Sequence, residues 1–506
     1  MQTFLENKFT VPILIFIISL AIFSFNLEGQ GIAIDEWFHH GFSMTFFDLT
    51  KEGNVLDTCI TLNGDCDKID LECPGPIHRI GSGGILKGIL VGLGDYLFSD
   101  NERIYYTSTD ITCRPIHKDI HQPGINIPTS EELGAGRFFT PIFSSLTLVV
   151  SYLLGKQLFN RNVGLMFALI LLFHTLWFHF SRTILSEVYV SFFVLLSIYL
   201  VVYSSRKNKF DYKYCILSAI VFGLAVNTKF TALLILPLIF LIIAFKDSWN
   251  MPLTLKNTKK IFSPKIFLII IIYSGILYVT MIGTFPYYWE DPLEQTFLQI
   301  DAITNDNYRA VTIDLNKKIL LPFVESVTIA PIIDGYYYLF LPDDVPQSAQ
   351  IGHTFSSIPL SLFFLLGIFW IFKKIIKKQI TYSEMLIFGW YIVTYVTVSI
   401  FTESYNASRH FLPVIFPMIL IMAYGLQNFL HSFKESLQRF FWIITLFSHS
   451  ITFLIFWKII YFDPDLVWNL PSTVNLRLSF SEPIVMCSAV LFLIVFSIYC
   501  LKRRRL

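Results

Sequence analysis

Charge is scarce in this chain. Only 15% of its 506 residues are Asp, Glu, Lys or Arg, against 54% hydrophobic and 17% aromatic. A soluble domain cannot hide so much apolar surface, so the composition excludes one and indicates a polytopic membrane protein. The formal net charge of +1 says nothing about partners by itself, and nothing in the chain points to nucleic acid. No repeat of fixed period and no low-complexity tract is present. That counts against transporters built from two similar halves. No small-residue cleavage site follows the apolar run Phe9–Phe25, so this run reads as an uncleaved first span.

What is present is a series of long apolar runs. They place about twelve spans near 10–28, 137–155, 163–180, 184–203, 214–228, 230–245, 266–284, 358–372, 383–401, 411–430, 440–460 and 483–500. Alternate threading puts both termini on one side. With them go Arg206-Lys207-Asn208-Lys209, the lysines of 246–265, Lys373-Lys374 with Lys377-Lys378, and Lys502-Arg503-Arg504-Arg505, while acids are rare there. Excess Lys and Arg marks the cytoplasmic face. The expectation is an integral, multi-pass protein, in a cell membrane, with cytoplasmic termini. Its parts are a first span (1–28), an extracytoplasmic loop (29–136), a transmembrane core (137–284), a second outer loop (285–357) and C-terminal spans (358–506).

Four of the seven cysteines (Cys59, Cys66, Cys73, Cys113) lie in the first outer loop. Their spacing matches no usual zinc site, and an even number in an oxidising compartment indicates two disulfides with three possible connectivities. Two stretches of that loop read as helices that do not span. Trp37, Phe38, Phe42, Phe46 and Phe47 form one apolar face suited to the headgroup layer. Residues Gly84–Phe98 reach only about 22 Å at 1.5 Å per residue, short of the roughly 30 Å hydrocarbon core.

The remaining charges concentrate at outer ends of spans. Asp35 and Glu36 follow the first span, where two carboxylates are costly unless they face water, a partner charge or a substrate. A pair of solvated loop acids is the plainer alternative. Arg137 opens the second span, Arg182 lies between the third and fourth, Glu187 is about one helical turn inside the fourth, and Arg409 and His410 open the tenth. Asn227-Thr228-Lys229 interrupts an apolar stretch too long for one span. A helical hairpin is expected, with Lys229 lining a cavity or meeting an anion, or else snorkelling to the headgroups. In the second outer loop, Phe285-Pro-Tyr-Tyr-Trp-Glu-Asp-Pro292 and Pro331-Ile-Ile-Asp-Gly-Tyr-Tyr-Tyr338 suit either sugar stacking or an interfacial aromatic belt.

These residues carry a family resemblance. Asp35-Glu36 resembles the acidic signature of GT-C glycosyltransferases that use lipid-linked sugars, in the branch of the protein O-mannosyltransferases and aminoarabinose transferases (family 39-like). Within Gly136–Pro237 the landmarks are Gly136-Arg137-Phe-Phe-Thr-Pro141, Leu154-Gly-Lys-Gln-Leu-Phe159-Asn-Arg161-Asn-Val-Gly164 and Ser181-Arg182 with Glu187 five residues on. Then come Phe222-Gly223-Leu-Ala-Val-Asn-Thr-Lys229 and Leu236-Pro237. Arg409-His410-Phe-Leu-Pro413 is similar to a later family motif. The chain departs by having Glu187 where Asp is commoner, by lacking a His-Pro-Pro-Leu segment, and by its insert at 50–120.

The resemblance implies an all-α, GT-C type bundle with juxtamembrane helices and a donor such as a dolichyl or other polyprenyl phosphate sugar. It implies transfer to a protein, lipid or glycan acceptor outside the cytoplasm. Asp35 would be the general base and Glu36 would hold acceptor or sugar hydroxyls. Lys229, Arg137, Arg182 and Arg409 would bind the donor phosphate, with His410 and Glu187 supporting. Glu187 would orient a cation or, in metal-using relatives, contribute to a divalent site. No cofactor is expected, and a metal is not favoured. The rival readings are a lipid or solute transporter or flippase, and a non-catalytic scaffold subunit.

Overall fold

The computed structural model describes residues 9–28, 36–51, 85–99, 129–205, 210–245, 263–285, 288–289, 291–297, 300, 363–401 and 412–431. The secondary structure described there is helical. The elements used below are α1 (Thr10–Ser24), α2 (Glu36–Lys51), α3 (Ile85–Phe98), α4 (Ser130–Gly136), α5 (Phe139–Leu158), α6 (Arg161–Leu172), α7 (Thr175–Phe180), α8 (Ser186–Ser205) and α9 (Tyr212–Thr228). After a 3₁₀ turn at Phe230–Ile235 come α10 (Leu236–Ala244), α11 (Pro264–Thr284), α12 (363–376), α13 (Tyr382–Phe401) and α14 (Leu412–His431). Among the described residues, α5, α8, α11 and α14 are long and apolar enough to cross a membrane, and α1, α6 and α9 are shorter apolar helices.

Within the described residues, each expected span up to 430 overlaps helix. The third differs from expectation. Instead of one helix over 163–180, α6 ends at Leu172, His174 takes an extended backbone (φ −73°, ψ 118°), and α7 restarts the chain. The two stretches expected to form short, non-spanning helices are helical, as α2 and α3, and pack on each other. Spans 440–460 and 483–500, the four loop cysteines, Asp35, Arg409 and His410 lie outside the described residues.

Helices in lipid gain little from burying apolar area against one another, so close backbone approach matters more. The motif around Gly155 and Gly164 supplies one such approach. Asn160 caps α6, its side-chain oxygen accepting from the N–H groups of Asn162 (2.9 Å) and Val163 (3.1 Å). That cap closes a tight turn and folds α6 back onto α5. A Cβ on Gly155 would then lie 2.8 Å from the Gly164 Cα, so only glycine fits there. Gly425 of α14 makes a similar approach to Gly367 of α12, 2.6 Å from its nitrogen by the same construction. Mid-bundle, the hydroxyls of Ser197, Ser218 and Tyr273 join α8, α9 and α11 at 2.8–3.2 Å.

Helix α5 packs on α1, α6 and α8; α8 packs on α9; α9 packs on α11; and α6 meets α14. The bundle has two distinct ends. At one, Ser383 Oγ donates to Leu158 O (2.7 Å) and Tyr382 Oη donates to Ile242 O (3.3 Å), tying the last turns of α5 and α10 to the start of α13. Glu384 there accepts from Lys374, from Thr381 N–H (2.8 Å) and from Tyr424 Oη (2.7 Å). At the other end lie the starts of α5 and α8 and the break after α9. The chain therefore reverses at Lys229, as expected of a hairpin.

Candidate functional site

Glu36, Arg137, Arg182, Glu187 and Lys229 gather at this second end. Thr129-Ser130-Glu131-Glu132 is a capping box: Thr129 Oγ1 accepts from Glu132 N–H (3.2 Å), and Glu132 Oε2 accepts from Thr129 N–H (2.6 Å). It starts α4, a two-turn helix whose C-cap is Arg137. The Arg137 guanidinium then grips Glu36 at the first turn of α2. Nε donates to Oε1 and Nη2 to Oε2, both at 2.6 Å. Ile184 N–H adds a third bond to Oε1 (2.9 Å), and Arg137 Nη1 donates to Leu27 O (2.7 Å). Both side chains are 0% exposed.

The turn after α1 serves two arginines. Asn26 adopts φ 47°, a left-handed conformation that asparagine tolerates better than most residues. Its carbonyl accepts from Arg182 Nη2 (2.7 Å), while the next carbonyl, of Leu27, takes Arg137. The Arg182 guanidinium also lies 5.3 Å from the Phe178 ring centroid, within cation–π range. Arg182 is buried.

Lys229 occupies the break between α9 and the 3₁₀ turn, in extended conformation (φ −158°, ψ 117°). Its ammonium donates to Glu187 Oε1 at 2.7 Å. The Glu187 side chain is 5% exposed and that of Lys229 22%. Nearby, Asn227 Nδ2 donates to Met281 O (2.9 Å) and Thr284 Oγ1 (2.6 Å), fixing the end of α9 against α11.

The structure therefore brings together Glu36 with Arg137, and Glu187 with Lys229, and puts Arg182 on the turn that also binds Arg137. The expected role of Glu36 in holding substrate hydroxyls meets a different arrangement, because both its oxygens are already engaged in a sealed pair. The same burial keeps Arg137 from reaching a phosphate in this conformation. Lys229, in contrast, is partly open.

Sequence reasoning missed the supports beneath this end. His39 Nδ1 and Lys87 Nζ lie 2.8 Å apart, and His40 Nε2 lies 3.3 Å from Asp95 Oδ1, so neighbouring histidines of α2 meet two charges of α3. Lys87, His40 and Asp95 are all buried. The available signal was Lys87 and Asp95 themselves, two charges on an otherwise apolar helix. A Cβ on Gly136 would lie 2.8 Å from His40 Cδ2, so glycine admits the imidazole beside Arg137. Among the described residues no group of His, Cys, Asp and Glu side chains suits a metal ion.

Residues 119–288 match the family described as dolichyl-phosphate-mannose-protein mannosyltransferase. No match to a curated protein was found. Solved structures of similar shape include ArnT from Cupriavidus metallidurans bound to undecaprenyl phosphate. It is 9% identical over 98% of this chain and 73% of that one, with a TM-score of 0.48. The Archaeoglobus fulgidus oligosaccharyltransferase in the apo form is 13% identical over 94% and 62%, with a TM-score of 0.49. The S. cerevisiae protein O-mannosyltransferase Pmt1-Pmt2 complex bound to the sugar donor is 16% identical over 55% and 33%, with a TM-score of 0.37. The stretch that matches the mannosyltransferase family carries Arg137, Arg182, Glu187 and Lys229, and the chain is a membrane glycosyltransferase, similar to those that draw their sugar from a polyprenyl phosphate.

Proposed function

We propose that the protein is a GT-C type enzyme of about twelve spans that transfers a sugar on the extracytoplasmic side of a cell membrane to a protein, lipid or glycan acceptor. The observation that carries this reading is Lys229: a partly exposed ammonium beside a buried carboxylate, at the end of the bundle where Arg137 and Arg182 also gather. Such an end suits an anionic headgroup whose isoprenoid tail lies along apolar helices.

In this reading Asp35 takes the proton from an acceptor hydroxyl as that oxygen attacks the anomeric carbon. Lys229 holds the donor phosphate and stabilises the charge that develops on it. Glu36 and Arg137 form a fixed block at the start of α2, next to Asp35 in sequence. Arg182 anchors the turn after α1, and Arg409 and His410 remain candidates for further contacts to the donor. No cofactor enters the scheme, and a divalent metal is not required by it.

The test is to incubate membranes bearing the protein with polyprenyl-phosphate sugars and follow sugar release or transfer. Activity that depends on Asp35 supports the reading, and its absence with every such donor defeats it. Lys229→Ala should lower donor affinity at least tenfold while the protein inserts and extracts normally. Lys229→Arg should recover part of that, since a planar fork does not reproduce a compact point charge. Unchanged donor affinity in Lys229→Ala would leave the lysine an interfacial anchor.

The proposed orientation has its own check. A reporter active only in the cytoplasm should work when fused after Leu506 or within 250–260, and stay silent within 50–120 or 300–350. Activity within 50–120 would invert the topology and remove the site from the extracytoplasmic face.

A further inference from the structure

We infer that Glu187 is an internal competitor for the cation that holds the donor phosphate, and that it governs release of the spent lipid. The inference rests on the reading of Lys229 as that cation. Its starting point is the asymmetry of the pair. The carboxylate is sealed (5% exposed) while the ammonium 2.7 Å away is open (22%). An incoming anion therefore reaches Lys229 from its open side, with Glu187 behind it.

Both partners are built for an exchange. Lys229 sits at a break in the helix, on a four-carbon stem with three donors, so it can turn from one oxygen to another. Glu187 does not depend on Lys229 alone. It lies in the first turn of α8, where the helix dipole favours a carboxylate, and Ser186 Oγ donates to its Oε2 at 3.4 Å. It can hold its place while the lysine serves a phosphate.

The reaction supplies a need for such a competitor. A polyprenyl phosphate sugar is a phosphodiester with one negative charge. Transfer breaks the bond between the anomeric carbon and the phosphate oxygen, and the electron pair stays on that oxygen. The acceptor oxygen bonds to the same carbon, and its proton passes to the base. The lipid is left as a phosphate monoester, whose charge at pH 7 is about −1.5 to −2. A cation without a counter-charge would hold this product more tightly than the substrate and slow turnover. A carboxylate beside it opposes the added charge and re-forms the ion pair as the product leaves. Unit charges this close interact strongly enough, after screening, to change an affinity by about tenfold.

The experiment is a binding titration of purified, detergent-extracted protein with two probes, farnesyl phosphate and its methyl diester. The wild type should bind them within about threefold of each other. Glu187→Gln should bind the monoester about tenfold more tightly than the wild type, and the diester only about threefold more tightly. A role limited to orienting Lys229 predicts the opposite sign, because losing Glu187 would then weaken both. Unchanged or weakened monoester binding in Glu187→Gln overturns the inference. Should that variant fail to fold, Glu187→Asp, which withdraws the carboxylate by one methylene, should tighten monoester binding by a smaller factor. Unchanged or weaker binding there overturns the inference equally. In a Lys229→Ala background, Glu187→Gln should tighten both probes by a smaller factor than it does beside Lys229, because no ion pair then has to be broken. If Lys229→Ala alone leaves both affinities intact, it is the reading of Lys229 that fails.

Discussion

Arg137→Met is expected to be the most destabilising single substitution at the proposed site. It strips Glu36, a carboxylate at 0% exposure, of both guanidinium bonds, while the bond from Ile184 N–H stays. Removing one member of a buried ion pair typically costs about 3–5 kcal/mol, most of it the penalty for the stranded charge. Glu36→Leu should cost a similar amount by stranding the guanidinium. The double variant Arg137→Met/Glu36→Leu removes both charges and should recover most of the loss. Recovery should be incomplete, because Ile184 N–H and Leu27 O each lose a partner. Thermal unfolding of the detergent-extracted protein measures all three. If the double variant were as unstable as the sum of the singles, the pair would not be the coupled unit described here.

Asp35→Asn should have the largest effect on turnover with little effect on folding. The substitution preserves shape and removes basicity, so transfer should fall by about 100-fold, within the range for losing a general base. Donor binding should hardly change, because in the proposed site the phosphate is held by Lys229, far along the sequence. Glu36→Gln should behave differently. An amide can accept from Arg137 but carries no charge to balance it, so this variant should lose stability and activity together. Near-normal turnover in Asp35→Asn would end the assignment of Asp35 and make Glu187 the next carboxylate to test.

The sequence disclosed the helices well because their signals are local. The apolar run proposed at 137–155 appears as α5, Phe139–Leu158. The polar interruption at Asn227–Lys229 is the break that ends α9. Where a signal was balanced against tertiary packing, the sequence was silent. Nothing local marks the break of the third span at His174, since no proline or glycine stands there. The site was legible as a set of residues but not as pairs. Arg137 and Glu36 are 101 positions apart, and no periodicity links them. The set had grouped Arg137 with Lys229 as phosphate binders, whereas burial separates them into a sealed arginine and a partly open lysine. The carbonyls of Asn26 and Leu27 were invisible for a simpler reason: a backbone acceptor carries no sequence signature.

The bond between Glu36 and Arg137 also sets a schedule for the nascent chain. At about 5–20 residues per second, the 101 positions between them correspond to roughly 5–20 seconds of synthesis. The Ile184 N–H follows still later, 148 positions after Glu36. Throughout that interval the carboxylate has neither of these partners. The first span and its acidic turn therefore enter the membrane early but lock only when the second span and the start of α8 arrive. A ribosome stalled shortly before Arg137 would leave α1 inserted without its clamp.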